Sequence, residues 1–168
     1  MNFSDTEHFP ARRKTRPVKV GRLTIGGAAA IVVQSMTKTD TRDVAKTVEQ
    51  IQQMEAAGCE IVRLAVPDIE AAQALPEIRK RCPDSILVSD IHFQYKFALM
   101  ALDAGIDKLR INPGNIGDAE KVRTVVRRAQ WDGAIVSMIS TRNGVRALRH
   151  LPGCGLVSSA TTRWRSAQ

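Results

Sequence analysis

Aromatic residues make up only 4% of this 168-residue chain, and acidic residues stop altogether after Asp132. With so few rings, any core has to be built from Val, Ile, Leu and Ala. No run approaches the ~20 consecutive apolar residues that a membrane helix needs, which excludes a spanning helix and with it a membrane partner. Met1 to Pro17 is polar and basic and lacks the apolar stretch of a secretory signal. The three cysteines, Cys59, Cys82 and Cys154, are too few and too scattered for a disulfide framework. A reducing, cytoplasmic setting is the expectation. What remains is ordinary for a soluble globular protein: 43% hydrophobic and 25% charged residues.

The net charge of +8 invites a nucleic-acid reading, but its distribution argues against one. Residues 1–132 carry 20 Lys and Arg against 17 Asp and Glu, a balance of +3, whereas residues 133–168 carry five Arg and no acid. The front of the chain is therefore near neutral. The basic stretch has Trp164 but no nucleic-acid-binding motif, so no nucleic-acid partner is expected.

Hydrophobic patterning gives the organisation. Pro17–Gly27 alternates around Gly21 and reads as a short hairpin. Short, β-branched apolar runs follow at Ala30–Met36, Glu60–Val66, Ser85–Ile91 and Lys108–Pro113, with a possible fifth strand at Ala134–Ser140. Helical patterns lie between them. Asp43–Ala57 places Val44, Val48, Ile51 and Met54 on one stripe, and Asp68 and Asp118 are candidate N-caps of the second and fourth helices. Pro76 is expected to break or restart the second helix. Gln94–Ala104 is the third. Strand–helix alternation implies a parallel sheet with right-handed crossovers. The pattern alone leaves an open α/β sheet and part of a TIM barrel both available. A whole barrel takes roughly 250 residues, so four to five βα units are little more than half of one.

In either fold, polar residues at strand C-termini are the first functional candidates. Arg63 lies inside an apolar strand, where a lone guanidinium needs either a structural carboxylate such as Asp90 or an anionic ligand. Asp90 and His92 share parity, so both face one side; one Asp and one His do not complete a metal or acid–base site. Arg110 and Asn112 also point one way, and Pro113-Gly114-Asn115 turns the chain toward a helix start whose free N–H groups would suit a phosphate beside the Arg110 fork. The other reading is a plain βα turn with an Asn cap. Cys59 and Cys82 read as packing or incidental. Cys154, in Pro152-Gly153-Cys154-Gly155, resembles a cluster-ligand turn but has no second or third cysteine near it.

Four segments in order, VVQSMTKTDTRDV (Val32–Val44), AGCEIVRLAVPD (Ala57–Asp68), SDIHFQYKFAL (Ser89–Leu99) and DKLRINPGNIGD (Asp107–Asp118), resemble consecutive signatures of 4-hydroxy-3-methylbut-2-enyl-diphosphate synthases. The resemblance runs from about Pro17 to Ala129. It implies the N-terminal part of a TIM (β/α)8 barrel, about four to five βα units after a short β-hairpin. It also implies an isoprenoid-pathway oxidoreductase that opens 2-C-methyl-D-erythritol 2,4-cyclodiphosphate to 1-hydroxy-2-methyl-2-(E)-butenyl 4-diphosphate. In that family a [4Fe-4S] cluster on three cysteines and a glutamate sits in a separate C-terminal domain. Flavodoxin or ferredoxin supplies the electrons, and the enzyme is a homodimer. By position, Arg63 and Arg110 would hold diphosphate oxygens, while Asp90, Asn112 and Asn115 would orient the substrate or the arginines.

The resemblance ends where the composition changes. After Gln130 a strand of the type "IRIGVN", bearing a further Arg, is expected, but the chain reads WDGAIVSMISTRNGVRALRH. The expected organisation is a flexible N-terminus over 1–16, a partial barrel over 17–132 and a divergent tail over 133–168, the last read as a change of frame near codons 130–134. The cluster ligands are not expected in this stretch, and no reductase turnover is expected from it alone. A stand-alone module that binds phosphate or diphosphate without catalysis is the alternative.

Overall fold

The computed structural model describes residues 14–138. Its first element is the expected hairpin: β1 (Val18–Val20) and β2 (Leu23–Ile25) pair antiparallel across a turn that opens on Gly21, at φ +53°. The turn packs close to the sheet. A Cβ on Gly21 would lie 3.2 Å from a carboxylate oxygen of Asp107 and 3.3 Å from Ile86, so the position favours glycine on two counts.

The βα units then run in sequence: β3 (Gln34–Met36), α1 (Val44–Ala56), β4 (Ile61–Val66), α2 (Ile69–Arg81), β5 (Leu87–Ile91), α3 (Tyr95–Asp103), β6 (Lys108–Ile111), α4 (Ala119–Asp132) and β7 (Ile135–Met138). All five strands are parallel and lie in chain order, β3-β4-β5-β6-β7. Each helix packs on the next. Aspartates start three of the helices: Asp43 accepts from the Lys46 N–H at 3.1 Å, Asp68 from Ala71 at 2.9 Å and Asp118 from Lys121 at 3.0 Å. Pro76 does not break α2, contrary to the expectation. Leu75 and Ile78, on either side of it, are fully buried, and this packing holds the helix through the one N–H that proline cannot donate.

Alternation along the strands sorts side chains between two faces. Val62, Leu64, Val66, Leu87, Ile91, Leu109 and Ile111 pack under the helices with Val48, Ile51, Leu75, Ile78, Ala98, Val122 and Val125. On the opposite face, Ile61, Val88 and Ile86 form a second cluster with Val20 of the hairpin, and Leu23, Ile25 and Ile135 pack against it. The hairpin thus closes the lower part of the inner face with aliphatic groups. The same face carries Arg63 and Lys108 level with Val88 and Ile135, and Asp90, Arg110 and Ser137 one row above them.

The first expected strand, Ala30–Met36, is shorter than its apolar run. β3 pairs only with β4, and Ile31 and Val33 are 81% and 52% exposed. Val33 is tied to the start of β4 instead: its N–H donates to the Glu60 carboxylate at 2.9 Å, and its carbonyl accepts from Glu60 and Ile61. At the other edge β7 adds a strand beyond Asp132, where the divergent tail is expected to begin; residues from 139 onward lie outside the described residues.

Leu64 sits at the centre of this packing, fully buried in β4 between α1 and α2. Leu64→Ala is expected to lower unfolding stability by about 2–5 kcal/mol. Urea denaturation followed by far-UV circular dichroism would measure it, and a loss below 1 kcal/mol would contradict the packing described.

Candidate functional site

The inner face is organised by one carboxylate. Asp90, near the C-terminal end of β5, is only 2% exposed. Its register partner on β6 is Arg110, whose Nη1 donates to Asp90 at 2.5 Å. Arg63 reaches the same carboxylate from β4 on the other side, with Nε 3.5 Å from Oδ2. His92 Nε2 also lies 3.5 Å from Oδ2, but on a half-exposed ring that tilts against Phe93. Of the two open readings of Arg63, the structural ion pair with Asp90 is therefore made. It does not exhaust the charge, because two guanidiniums share one carboxylate.

The arginines keep unused donors. Arg63 places Nε and Nη2 against the sulfur of Met36, at 3.2 and 3.0 Å, while its Nη1 makes no hydrogen bond among the described residues. Arg110 uses only Nη1, leaving Nε and Nη2 without a partner among them. Both side chains are about a quarter exposed, so the free donors face the open side of the cluster. Arg79 and Asp107, at the other end of the sheet, make the opposite arrangement. Their 2.5 Å pair is reinforced by Arg79 donating to the carbonyls of Ser85 and Cys82 and by the Leu87 N–H donating to Asp107. That pair is a structural tie.

Asn112 and Asn115 are placed beside the arginines but not against them. The Asn112 Oδ1 accepts from the Gly114 N–H at 3.1 Å, and its carbonyl accepts from Asn115 and Ile116. Its side-chain oxygen therefore holds the turn, as in the plain reading of this segment. Asn115 is exposed, and neither residue bonds to Arg63, Arg110 or Asp90 among the described residues. The helix start expected after this turn comes at the anticipated Asp118 cap, set off from Arg110 by Ile116 and Gly117. Helix α4 begins at Ala119, and the Asp118 carboxylate already occupies its N-terminus, with Lys121 alongside at 3.3 Å. A capping carboxylate there repels a phosphate, so Arg110 faces any anion without help from that helix.

Sequence reasoning passed over two features. The loop after β3 is fastened by threonines: Thr37 N–H and Oγ1 donate to the Arg63 carbonyl, and Thr41 Oγ1 donates to the Ala65 carbonyl at 2.7 Å. The Thr-Lys-Thr-Asp-Thr run could have signalled this. The other feature is Lys108, two residues before Arg110 and thus on the same face. Burial, followed by the charges of Arg63 and Arg110, holds its ammonium below the usual lysine range.

The cysteines do not gather. Cys59 donates its thiol to the Ile61 carbonyl before β4, and Cys82 is buried at the end of α2, where burial pushes its thiol up. No group of three metal-ligating side chains occurs among the described residues, and Cys154 lies outside them.

A parallel sheet in chain order, helices on one face and a charged cluster at the C-terminal strand ends of the other, defines part of a TIM-barrel domain. The model of the GcpE TIM-barrel domain family matches residues 15–148, and the chain belongs to that family. The match extends past Ala129, where the run of recognisable motifs ends. Among curated relatives, the 4-hydroxy-3-methylbut-2-en-1-yl diphosphate synthase (flavodoxin) of Geobacillus kaustophilus is 56% identical over 136 residues. That alignment covers 81% of this chain and 35% of the relative. The protein of the same name from Symbiobacterium thermophilum is 57% identical with the same coverage. The chain thus spans about a third of the length of these relatives. Among solved structures, the KDPG aldolase of Legionella pneumophila aligns with TM-score 0.47 and 13% identity over 68% of this chain and 51% of its own.

The shared carboxylate yields a stability test. Asp90→Asn leaves two guanidiniums facing each other with no counter-charge. It is expected to lower stability by about 2 kcal/mol, less than the ~3–5 kcal/mol of a fully buried pair, because both arginines keep partial solvent contact. Chemical denaturation of the variant measures this. A stability unchanged within 0.5 kcal/mol would mean that Asp90 does not hold the cluster.

Proposed function

We propose that this chain is the substrate-facing first part of the barrel of an isoprenoid-pathway reductase, and that its inner face binds a diphosphate. The substrate is 2-C-methyl-D-erythritol 2,4-cyclodiphosphate, which the whole enzyme opens by two-electron reduction with loss of water to 1-hydroxy-2-methyl-2-(E)-butenyl 4-diphosphate. The reading rests on one observation above the others. Arg63 and Arg110 are fixed by a single buried carboxylate and keep unused N–H donors at the C-terminal strand ends. Fork-shaped donors already immobilised suit phosphoryl oxygens, and little side-chain entropy is lost on binding. Asp90 positions the arginines. Asn112 shapes the turn that follows Arg110, and Asn115 is exposed at its rim, where it would orient the substrate.

The cytoplasm is the setting, and the relatives' printed names support flavodoxin as electron donor, with ferredoxin able to serve the same purpose. A homodimer is the proposed assembly. The [4Fe-4S] cluster of the resemblance does not fit the described residues. Cys59 and Cys82 sit in separate packing environments, and burial pushes the Cys82 thiol up. No reaction step through a cluster is assigned to them; anion binding and orientation are what these residues contribute.

The test is calorimetric titration of the chain with the cyclodiphosphate. Binding is expected, with Arg63→Met and Arg110→Met each weakening it about tenfold or more, since a charge-assisted contact contributes roughly 1.5–3 kcal/mol. Absence of binding at millimolar ligand, or equal binding by both variants, would remove the proposal. Binding should also raise the thermal midpoint in proportion to the logarithm of ligand concentration.

A further inference from the structure

The inner face carries three cations and one carboxylate, and the third cation has no partner. In the parallel register, Met36, Arg63, Val88, Lys108 and Ile135 form one row across the sheet. Register partners point to the same side, so Lys108 faces inward with Arg63, two strands away. It lies two residues before Arg110 on β6, roughly 6.6–7 Å along the strand. Asp90 stands one row higher, on the strand between Arg63 and Lys108, and both arginines claim it. Lys108 makes no ion pair or hydrogen bond among the described residues.

A lysine in this position is unfavourable for the empty protein. Its ammonium is partly desolvated, it feels two guanidiniums, and its pKa falls accordingly. A lysine serving only to stabilise the sheet would meet a carboxylate, as Arg79 meets Asp107 at the other end. A cation held against its neighbours' field is instead suited to a site whose counter-charge arrives with the ligand. Charge counting points the same way. Arg63, Arg110 and Lys108 against Asp90 leave two positive charges, and Arg63 and Lys108 stand two strands apart, roughly 9–10 Å at the backbone, a spread that two linked phosphoryl groups span better than one.

We propose that Lys108 is a third anion ligand of this site and that it holds the second phosphoryl group of a diphosphate, making the site selective for diphosphate over monophosphate. This rests on the proposed function and specifies how that site discriminates. Arg63 and Arg110 give the site its affinity for any phosphoryl group, and Lys108 adds the contact that only a two-phosphoryl ligand can use.

The experiment titrates the full chain with inorganic pyrophosphate and, separately, with orthophosphate, comparing wild type, Lys108→Met, Lys108→Arg and Arg110→Met. Lys108→Met should weaken pyrophosphate binding about tenfold, the equivalent of about 1.4 kcal/mol, and change orthophosphate binding much less. Lys108→Arg should recover most of the loss. The ligand-free Lys108→Met protein should melt no lower than wild type, since an uncompensated cation has been removed. Pyrophosphate should also protect Lys108 from acetylation by acetic anhydride, read by peptide mass spectrometry. Undiminished pyrophosphate binding by Lys108→Met, with Arg110→Met defective, would overturn the inference and leave the site standing. Equal losses for both ligands together with a lowered melting point would assign Lys108 a structural role and also overturn it. No pyrophosphate binding by wild type would overturn the site itself, and the inference with it.

Discussion

Burying a carboxylate is unfavourable unless charge and hydrogen bonds replace the lost water, and most of this inner face follows from how Asp90 meets that requirement. It lies on β5, buried on both faces, with charged neighbours from the strands on each side. Arg110 binds it closely and Arg63 flanks it, so a single negative charge fixes two long side chains that would otherwise sample many rotamers. The arrangement depends on a dry floor. Ile61 and Ile86 fill the space below the charges, Val88 separates Arg63 from Lys108 in their row, and the hairpin residue Val20 seals the floor. The aliphatic core under the helices keeps β4, β5 and β6 in the register that brings the three charges together. A slip of one residue in β6 would turn Arg110 toward the helices and leave Asp90 without its main partner.

The two ends of the sheet show how one pairing chemistry gives different outcomes. At the N-terminal end, Arg79 and Asp107 are matched one to one, and neighbouring backbone groups take up further donors and acceptors. This ties the end of α2 to the start of β6 and leaves little to offer a ligand. At the C-terminal end cations outnumber the carboxylate, and donors of both arginines remain open. The imbalance leaves positive charge uncompensated there, on which the proposed diphosphate site rests, in keeping with the usual division in βα barrels between a stabilising face and a binding face.

The parallel architecture was readable because each strand is a short β-branched run and three helices open on an aspartate, and both signals are local. Arg63, Asp90 and Arg110 were readable because a charged residue inside an apolar strand demands a partner. The details that escaped depend on tertiary packing. Pro76 stays helical because Leu75 and Ile78 are anchored on either side of it, which no local propensity reports. Asn112 is expected to orient the substrate or the arginines; its side-chain oxygen holds its own turn and makes no bond to either arginine among the described residues. Helix α4 starts at the Asp118 cap, as expected, but that carboxylate and the intervening Ile116 and Gly117 keep its N-terminus from serving the Arg110 turn. Lys108 was visible in principle, since its parity with Arg110 is fixed by the strand. Its isolation becomes evident only when the register shows that every nearby acid is already engaged.

The central claim is that the free guanidinium donors of Arg63 and Arg110, held by Asp90, are where a diphosphate binds. It is tested most directly by following arginine Nε–H resonances in nitrogen-15-labelled protein as pyrophosphate is added. The account predicts saturable shifts for Arg63 and Arg110, with Arg79 unmoved because its guanidinium is paired with Asp107 at the other end of the sheet and its Nε is buried away from solvent. Shifts spread evenly over surface arginines such as Arg42 and Arg128, with Arg63 and Arg110 silent, would show that the anion is attracted only by net charge, and would contradict the account.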